Sequence, residues 1–121
     1  MNQATLRDCR ILVVEDEYML ADELRTELLD AGATVLGPVG TIEDALELIA
    51  GETAIDGAIL DINLRGEMVF PAADLLTQRN VPFAFATGYE ESAIPDRFKQ
   101  ITRCEKPVDL NRITQALRQV A

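Results

Sequence analysis

The chain has 121 residues, enough for one domain with a core of its own, and its 21 acidic against 11 basic residues give a formal net charge of -10. That charge argues against nucleic acid and anionic membrane surfaces as direct partners, and suits a metal cation or a basic protein surface. With no histidine anywhere, the chain cannot build a Ser-His-Asp or Cys-His triad, an imidazole metal site or a phosphohistidine.

Arg7, Asp8 and Arg10 precede the first short apolar stretch, so the N-terminus does not read as a secretory signal. No apolar run approaches the roughly 18 residues of a membrane span. A cytoplasmic location is the expectation. Residues 9–14 read as a buried strand running into Glu15-Asp16. Leu20, Leu24 and Leu28, at i, i+4 and i+8, predict a first helix that stops near Ala31-Gly32. Residues 33–37 predict a second strand, which Pro38 marks as an edge. Thr41 and Asp44 resemble a capping box for a second helix that buries Ile42, Ala45, Leu46 and Ile49.

A third strand over 56–60 is the most apolar of the chain and delivers Asp61. A third helix is predicted from near Met68, with Val69, Ala72, Ala73 and Leu76 inward. The fourth strand, 82–86, leads into Thr87-Gly88, and the fifth, 101–105, into Lys106-Pro107. Alternation asks for a helix between them, over 89–100. Pro95 breaks it, having no N–H and a ring that clashes with the preceding turn, so that helix should be short or frayed. Asp109 is a candidate N-cap for a last helix burying Leu110, Ile113 and Leu117. Five strands alternating with helices predict a doubly wound α/β domain with a parallel sheet covered on both faces. Cys9 and Cys104 then fall in strands that do not pair, and read as two small reduced thiols rather than a disulfide.

In an open parallel sheet, ligands sit beyond the carboxyl ends of the strands. Glu15, Asp16, Asp61, Thr87 and Lys106 would meet there. Three adjacent carboxylates repel unless a cation intervenes, and an all-oxygen donor set favours Mg²⁺ (or Mn²⁺). Asp61 would serve as nucleophile toward a phosphoryl group, with Lys106 as a compact positive charge and Thr87 as a hydroxyl donor. Each residue also has a plain structural reading. Glu-Asp can be the acidic first turn of a helix, Asp61 an N-cap, Thr87-Gly88 a turn, and Lys106-Pro107 nothing in particular. Their coincidence at successive strand ends favours the site.

Val13-Val14-Glu15-Asp16-Glu17, Leu60-Asp61-Ile62-Asn63-Leu64-Arg65-Gly66, Thr87 and Lys106-Pro107 occur in an order and spacing that resemble the receiver domain of bacterial response regulators over essentially the whole chain. The resemblance implies a flavodoxin-like strand order of 2-1-3-4-5, one receiver domain over 1–121 with no output domain, and Asp61 as phosphoacceptor. It implies Glu15 and Asp16 as the acidic pair, Asp16 being the direct metal ligand, and the main-chain carbonyl of Asn63 as a further ligand. Thr87 and Lys106 would contact the phosphoryl group, and the Lys106–Pro107 bond would be cis. Val81-Pro82-Phe83-Ala84-Phe85-Ala86-Thr87-Gly88-Tyr89 looks like the Phe-Ala-Thr-Gly-Tyr subgroup of stand-alone receivers, associated with HWE and related histidine kinases. Two positions depart from the family. Arg103 stands where many receivers carry an inward-turning Tyr or Phe, and no Pro occupies Leu64 or Arg65.

The resulting expectation is a two-component signalling protein that takes a phosphoryl group from a histidine kinase, or a phosphotransfer protein, and presents a changed face to a downstream protein. The 88–100 segment, loosened by Gly88 and Pro95, would be the mobile element. Tyr89 and Arg103 are the switch and output candidates. Arg97, Lys99, Arg103, Arg112 and Arg118 form either a partner-binding patch or a solvated face. The alternatives are a docking module that is never phosphorylated and a phosphate sink for a kinase. A turnover phosphatase would want a second Asp where Asn63 stands, and a flavodoxin would not place Glu15-Asp16-Glu17 against a phosphate.

Overall fold

The computed structural model describes residues 6–87, 94–106 and 108–119. Strand β1 (Arg10–Val14) is followed by helix α1 (Tyr18–Asp30), β2 (Thr34–Val39), α2 (Ile42–Gly51) and β3 (Gly57–Asp61). A two-stranded ribbon, β4 (Asn63–Leu64) and β5 (Glu67–Met68), precedes α3 (Phe70–Gln78) and β6 (Phe83–Thr87). A 3₁₀ turn (Asp96–Phe98), β7 (Arg103–Glu105) and α4 (Leu110–Gln119) complete the described chain. The five sheet strands are parallel, in the order β2-β1-β3-β6-β7. The 2-1-3-4-5 expectation therefore holds, with β2 and its Pro38 at an edge.

Successive side chains of a strand point to opposite faces, and the central strands are buried on both. Leu12, Val14, Ala58, Leu60, Phe83 and Phe85 pack with α2 and α3 on one face. Ile11, Val13, Ile59, Ala84, Ala86 and Cys104 pack with α1 and α4 on the other. Gly57 makes that second contact close. A Cβ there would stand 2.9 Å from Leu117 Cδ1. In α1 the buried residues are Ala21, Leu24 and Leu28, while Leu20 is only half-buried. Thr41 Oγ1 accepts from the Asp44 N–H at 3.1 Å and caps α2. At the other end of α2, the Arg79 guanidinium donates to the carbonyls of Ile49 and Glu52, which no helical N–H can reach.

Two expectations are corrected, the start of the third helix and the looseness of the segment before β7. Helix α3 starts at Phe70, two residues late, because Met68 is taken by the ribbon. The fourth helix is short, as Pro95 predicts: a single 3₁₀ turn that this proline precedes. The segment around it is not loose, however. Ile94 and Phe98 are buried, Phe98 stacks on Phe70 and meets Phe83 and Phe85 edge-on, and Arg97 forms a two-pronged bond to Asp74 of α3 at 2.8 and 2.9 Å. The rest of the segment expected to be mobile, 88–93, lies outside the described residues, as does Pro107. Cys9 and Cys104 form no disulfide, and burial pushes the Cys104 thiol up against the opposing pull of Arg112.

Candidate functional site

Two apolar strands with ends in register deliver the acids. Val14 pairs with Leu60 across β1 and β3, so Glu15 and Asp61 both emerge one residue beyond that pair. Carboxylate oxygens of Glu15, Asp16 and Asp61 lie within 4.8 Å of one another. Gly40 lies close against the Asp16 backbone, where a Cβ would meet the Asp16 Cα at 3.3 Å. Burial grades across the cluster. Glu15 and Asp61 are buried, and Asp16 stands at the mouth.

Lys106 arrives from β7. Its N–H donates to the Thr87 carbonyl at 2.9 Å, which joins the ends of β6 and β7. Its Nζ lies 3.1 Å from Asp61 Oδ2 and 3.0 Å from Glu15 Oε1. One ammonium thus serves two buried carboxylates. Glu15 also accepts the Glu17 N–H at 3.0 Å, which fixes the turn into α1. Thr87, buried, ends β6 one residue past the Ala86 partner of Asp61.

Electrostatics leave the cluster short of positive charge. Burial, and then the neighbouring Glu15 carboxylate, push the Asp61 pKa from 3.8 up to about 7, although Lys106 pulls the other way. Burial alone would depress Lys106, but its hydrogen bond to Glu15 and the charges of Asp61 and Glu15 outweigh that, and its pKa is raised. The site therefore holds its lysine charged and its central aspartate on the edge of protonation. An all-oxygen trio at a strand-end mouth fits a hard divalent cation such as Mg²⁺, which would supply the missing charge.

Sequence reasoning brings together five residues that the structure also brings together: Glu15, Asp16, Asp61, Thr87 and Lys106. Asn63 joins them differently. Its Oδ1 accepts the Gly66 N–H at 2.6 Å, so its side chain belongs to the ribbon turn. Leu64 and Glu67 flank that turn and Asn63 pairs with Met68. Ladder alternation makes Asn63 and Met68 the pair that exchanges no bonds, which leaves the Asn63 carbonyl outside the ribbon. Arg103 is exposed on β7 opposite Phe85 in register, and Tyr89 lies outside the described residues. The basic patch is partly spent, since Arg97 is engaged by Asp74 and Lys99 stands 3.6 Å from Asp96. One contact was missed: Arg65 Nε lies 3.6 Å from Asp16 Oδ2. Its signal is Arg65-Gly66 after Leu64, a two-residue hairpin turn placed just beyond the Asp61 strand.

No protein-family model and no curated protein matches the sequence. Solved structures do. SdrG from Sphingomonas melonis Fr1 aligns with a TM-score of 0.81 and 36% identity over 98% of each chain. A response regulator receiver protein from Sinorhizobium medicae WSM419 aligns at 0.76 and 25% identity over 96% of each. The BeF3-activated conformation of SdrG from Pseudomonas melonis Fr1 aligns at 0.70 and 37% identity, over 96% of this chain and 97% of that one. Among the described residues no helix is long and apolar enough to cross a membrane.

Proposed function

Because this chain belongs to the receiver domains of response regulators, we propose that it is a two-component phosphoacceptor that carries its phosphoryl group on Asp61 and acts by changing a protein-binding face rather than by turnover. The observation that carries the reading is the meeting of three carboxylates within 4.8 Å with a lysine that bridges two of them. The donor is a histidine kinase, of the HWE class by the motif through Tyr89, or a phosphotransfer protein. A Mg²⁺ held by Asp16, Asp61 and the Asn63 carbonyl, with Glu15 beside it, would supply positive charge to the transferring group.

Asp61 attacks phosphorus through a carboxylate oxygen. The P–N bond of the donor phosphohistidine breaks, its electron pair stays on the imidazole nitrogen, and an acyl phosphate forms on Asp61. The nucleophile must be ionised, and an Asp61 with a pKa near 7 is not fully so at neutral pH. Positive charge at the mouth corrects this. Lys106 then turns from the Asp61 carboxylate to a phosphoryl oxygen, and Thr87 donates its hydroxyl to another. Thr87 shares a face of β6 with Phe83 and Phe85 by strand alternation. That is the face on which Phe98 rests. Movement of Thr87 is thereby aimed at the 94–101 segment, toward a surface that includes Arg103.

The test is direct. Protein incubated with Mg²⁺ and a small acyl phosphate donor gains the mass of one phosphoryl group, and Asp61→Asn does not. If neither this donor nor candidate kinases produces the gain, the chain is a docking module. Steady turnover of unrelated phosphoesters would instead make it an enzyme.

A further inference from the structure

Arg65 has no task in the scheme above, yet it is the second cation at the acid cluster. It occupies a two-residue turn with φ 54 at Arg65 and 96 at Gly66, the geometry that links tight hairpins. Asn or Gly adopts that conformation easily and Arg does not, so the turn itself gives no reason for an arginine. The ribbon beneath it is rooted. Leu64 and Val69 are buried, and the Val69 N–H donates to the Ile62 carbonyl at 2.9 Å. The Arg65 backbone is thus fixed beside the mouth, while its side chain is 80% exposed and its Nε stands 3.6 Å from Asp16 Oδ2. Lys106 serves Glu15 and Asp61, and Arg65 serves Asp16. Two cations divide three carboxylates between them.

We propose that Arg65 is a counter-ion latch on Asp16, one that lets go when Asp16 takes up a divalent cation and so lowers the affinity of the site for that cation. The inference rests on the metal-dependent reading given above. The physics is competition for one carboxylate. With Arg65 beside it, Asp16 is partly neutralised in the cation-free protein, and the repulsion among the three acids is relieved. At 3.6 Å the contact is an ion pair beyond hydrogen-bond length, and the guanidinium is mostly in water. Release is therefore easy, and the penalty on cation binding is small, about two- to fivefold in affinity. The guanidinium set free stays tethered at the mouth.

A two-dimensional NMR titration with MgCl₂, following the amides of Asp16 and Asp61, tests this on the parent, Arg65→Gln, Arg65→Lys and Arg25→Gln. Gln reaches as far as the Nε position without the charge, and has no better backbone preference for the turn. Arg25 pairs with Asp22 on α1 and controls for net charge alone. Arg65→Gln should bind Mg²⁺ about two- to fivefold more tightly, with the gain shrinking in high salt, and Arg65→Lys should return most of the way to the parent. Equal affinity in the parent and Arg65→Gln, or an equal gain in Arg25→Gln, overturns the latch and leaves the metal site standing. A parent that shows no Mg²⁺-dependent shift overturns both.

Discussion

The strand-end acid cluster and the aromatic cluster under the 94–101 segment are built on the same strands, and they are opposites. Phe70, Phe83, Phe85 and Phe98, the four phenylalanines of the chain, meet with ring centroids 5.6 to 6.2 Å apart. Each ring satisfies the others, and nothing further is wanted. At the strand ends, two cations divide three carboxylates, and Asp61 is held near its protonation point. One region is closed, and the other is waiting for charge. In the proposed phosphoacceptor, a phosphoryl group would act on the poised region and be transmitted through the firm one.

The largest expected effect lies in the aromatic cluster. Phe98 is 2% exposed and is the sole aromatic tie between the 3₁₀ turn and the sheet among the described residues. Phe98→Ala should destabilise the protein by about 3–5 kcal/mol, as large-to-small changes in packed cores do. Urea denaturation measures it. A loss below about 1 kcal/mol would mean that the segment collapses onto the gap, and that the aromatic cluster is not a rigid base for the site.

The acid cluster should behave in the reverse sense, gaining stability when its central residue is neutralised. In the metal-free protein Asp61 has a pKa of about 7 against 3.8 for the ordinary side chain. Between those values the unfolded chain has released its proton and the folded chain has kept it. Stability therefore falls as pH rises from about 4 to 7 and levels off above. The full shift corresponds to roughly 4 kcal/mol at 1.36 per pH unit, and loss of the Lys106 contact offsets part of it. Asp61→Asn should raise stability by about 1–3 kcal/mol at pH 8 and by close to nothing at pH 4. A stabilisation that is constant with pH would remove ionisation as its cause.

Cation binding should close part of that gap. With free Mg²⁺ at ten times its dissociation constant, the parent gains about 1.4 kcal/mol, and Asp61→Asn gains much less because it lacks one ligand charge. Thermal melts with and without MgCl₂ compare the two. Equal gains would place the cation somewhere other than at Asp61.

The contrast also explains what the sequence made legible. Strands β1, β3 and β6 are short runs of apolar residues that end in Glu15, Asp61 and Thr87, and parallel pairing brings such ends to one edge whatever the loops do. The site could be read because it depends only on strand order and on chemistry visible in single letters. The 94–101 anchor could not. Pro95 correctly signals the loss of a helix, but the hold on the segment comes from Phe98 reaching Phe70 and Phe83, contacts between residues 28 and 15 positions apart that no local pattern encodes. The ribbon was hidden for a different reason. Two-residue strands are too short for alternation to register, and Arg65 at a positive φ contradicts its own backbone preference.

The smallest expected effect is the most discriminating between the two regions. Asp74 and Arg97 join α3 to the segment that precedes β7 through a two-pronged bond at the surface, and Arg97 also lies 4.6 Å over the Phe98 ring. Water and salt screen such a pair, so Asp74→Asn should hardly move the global unfolding midpoint and should do nothing measurable at 1 M salt, where the screening length is about 3 Å. Its effect should be local. The amides of Phe98, Lys99 and Ile101 donate only within the turn, to Pro95, Asp96 and Phe98, so they report opening of this segment alone. In hydrogen exchange these three should speed up in Asp74→Asn while Ile59 and Phe85, inside the sheet, keep their rates. If the sheet amides accelerate equally, the ion pair contributes to the whole fold and the segment has no separate opening. If none changes, the aromatic cluster holds the segment by itself, and any route from Thr87 to a partner must move Phe98.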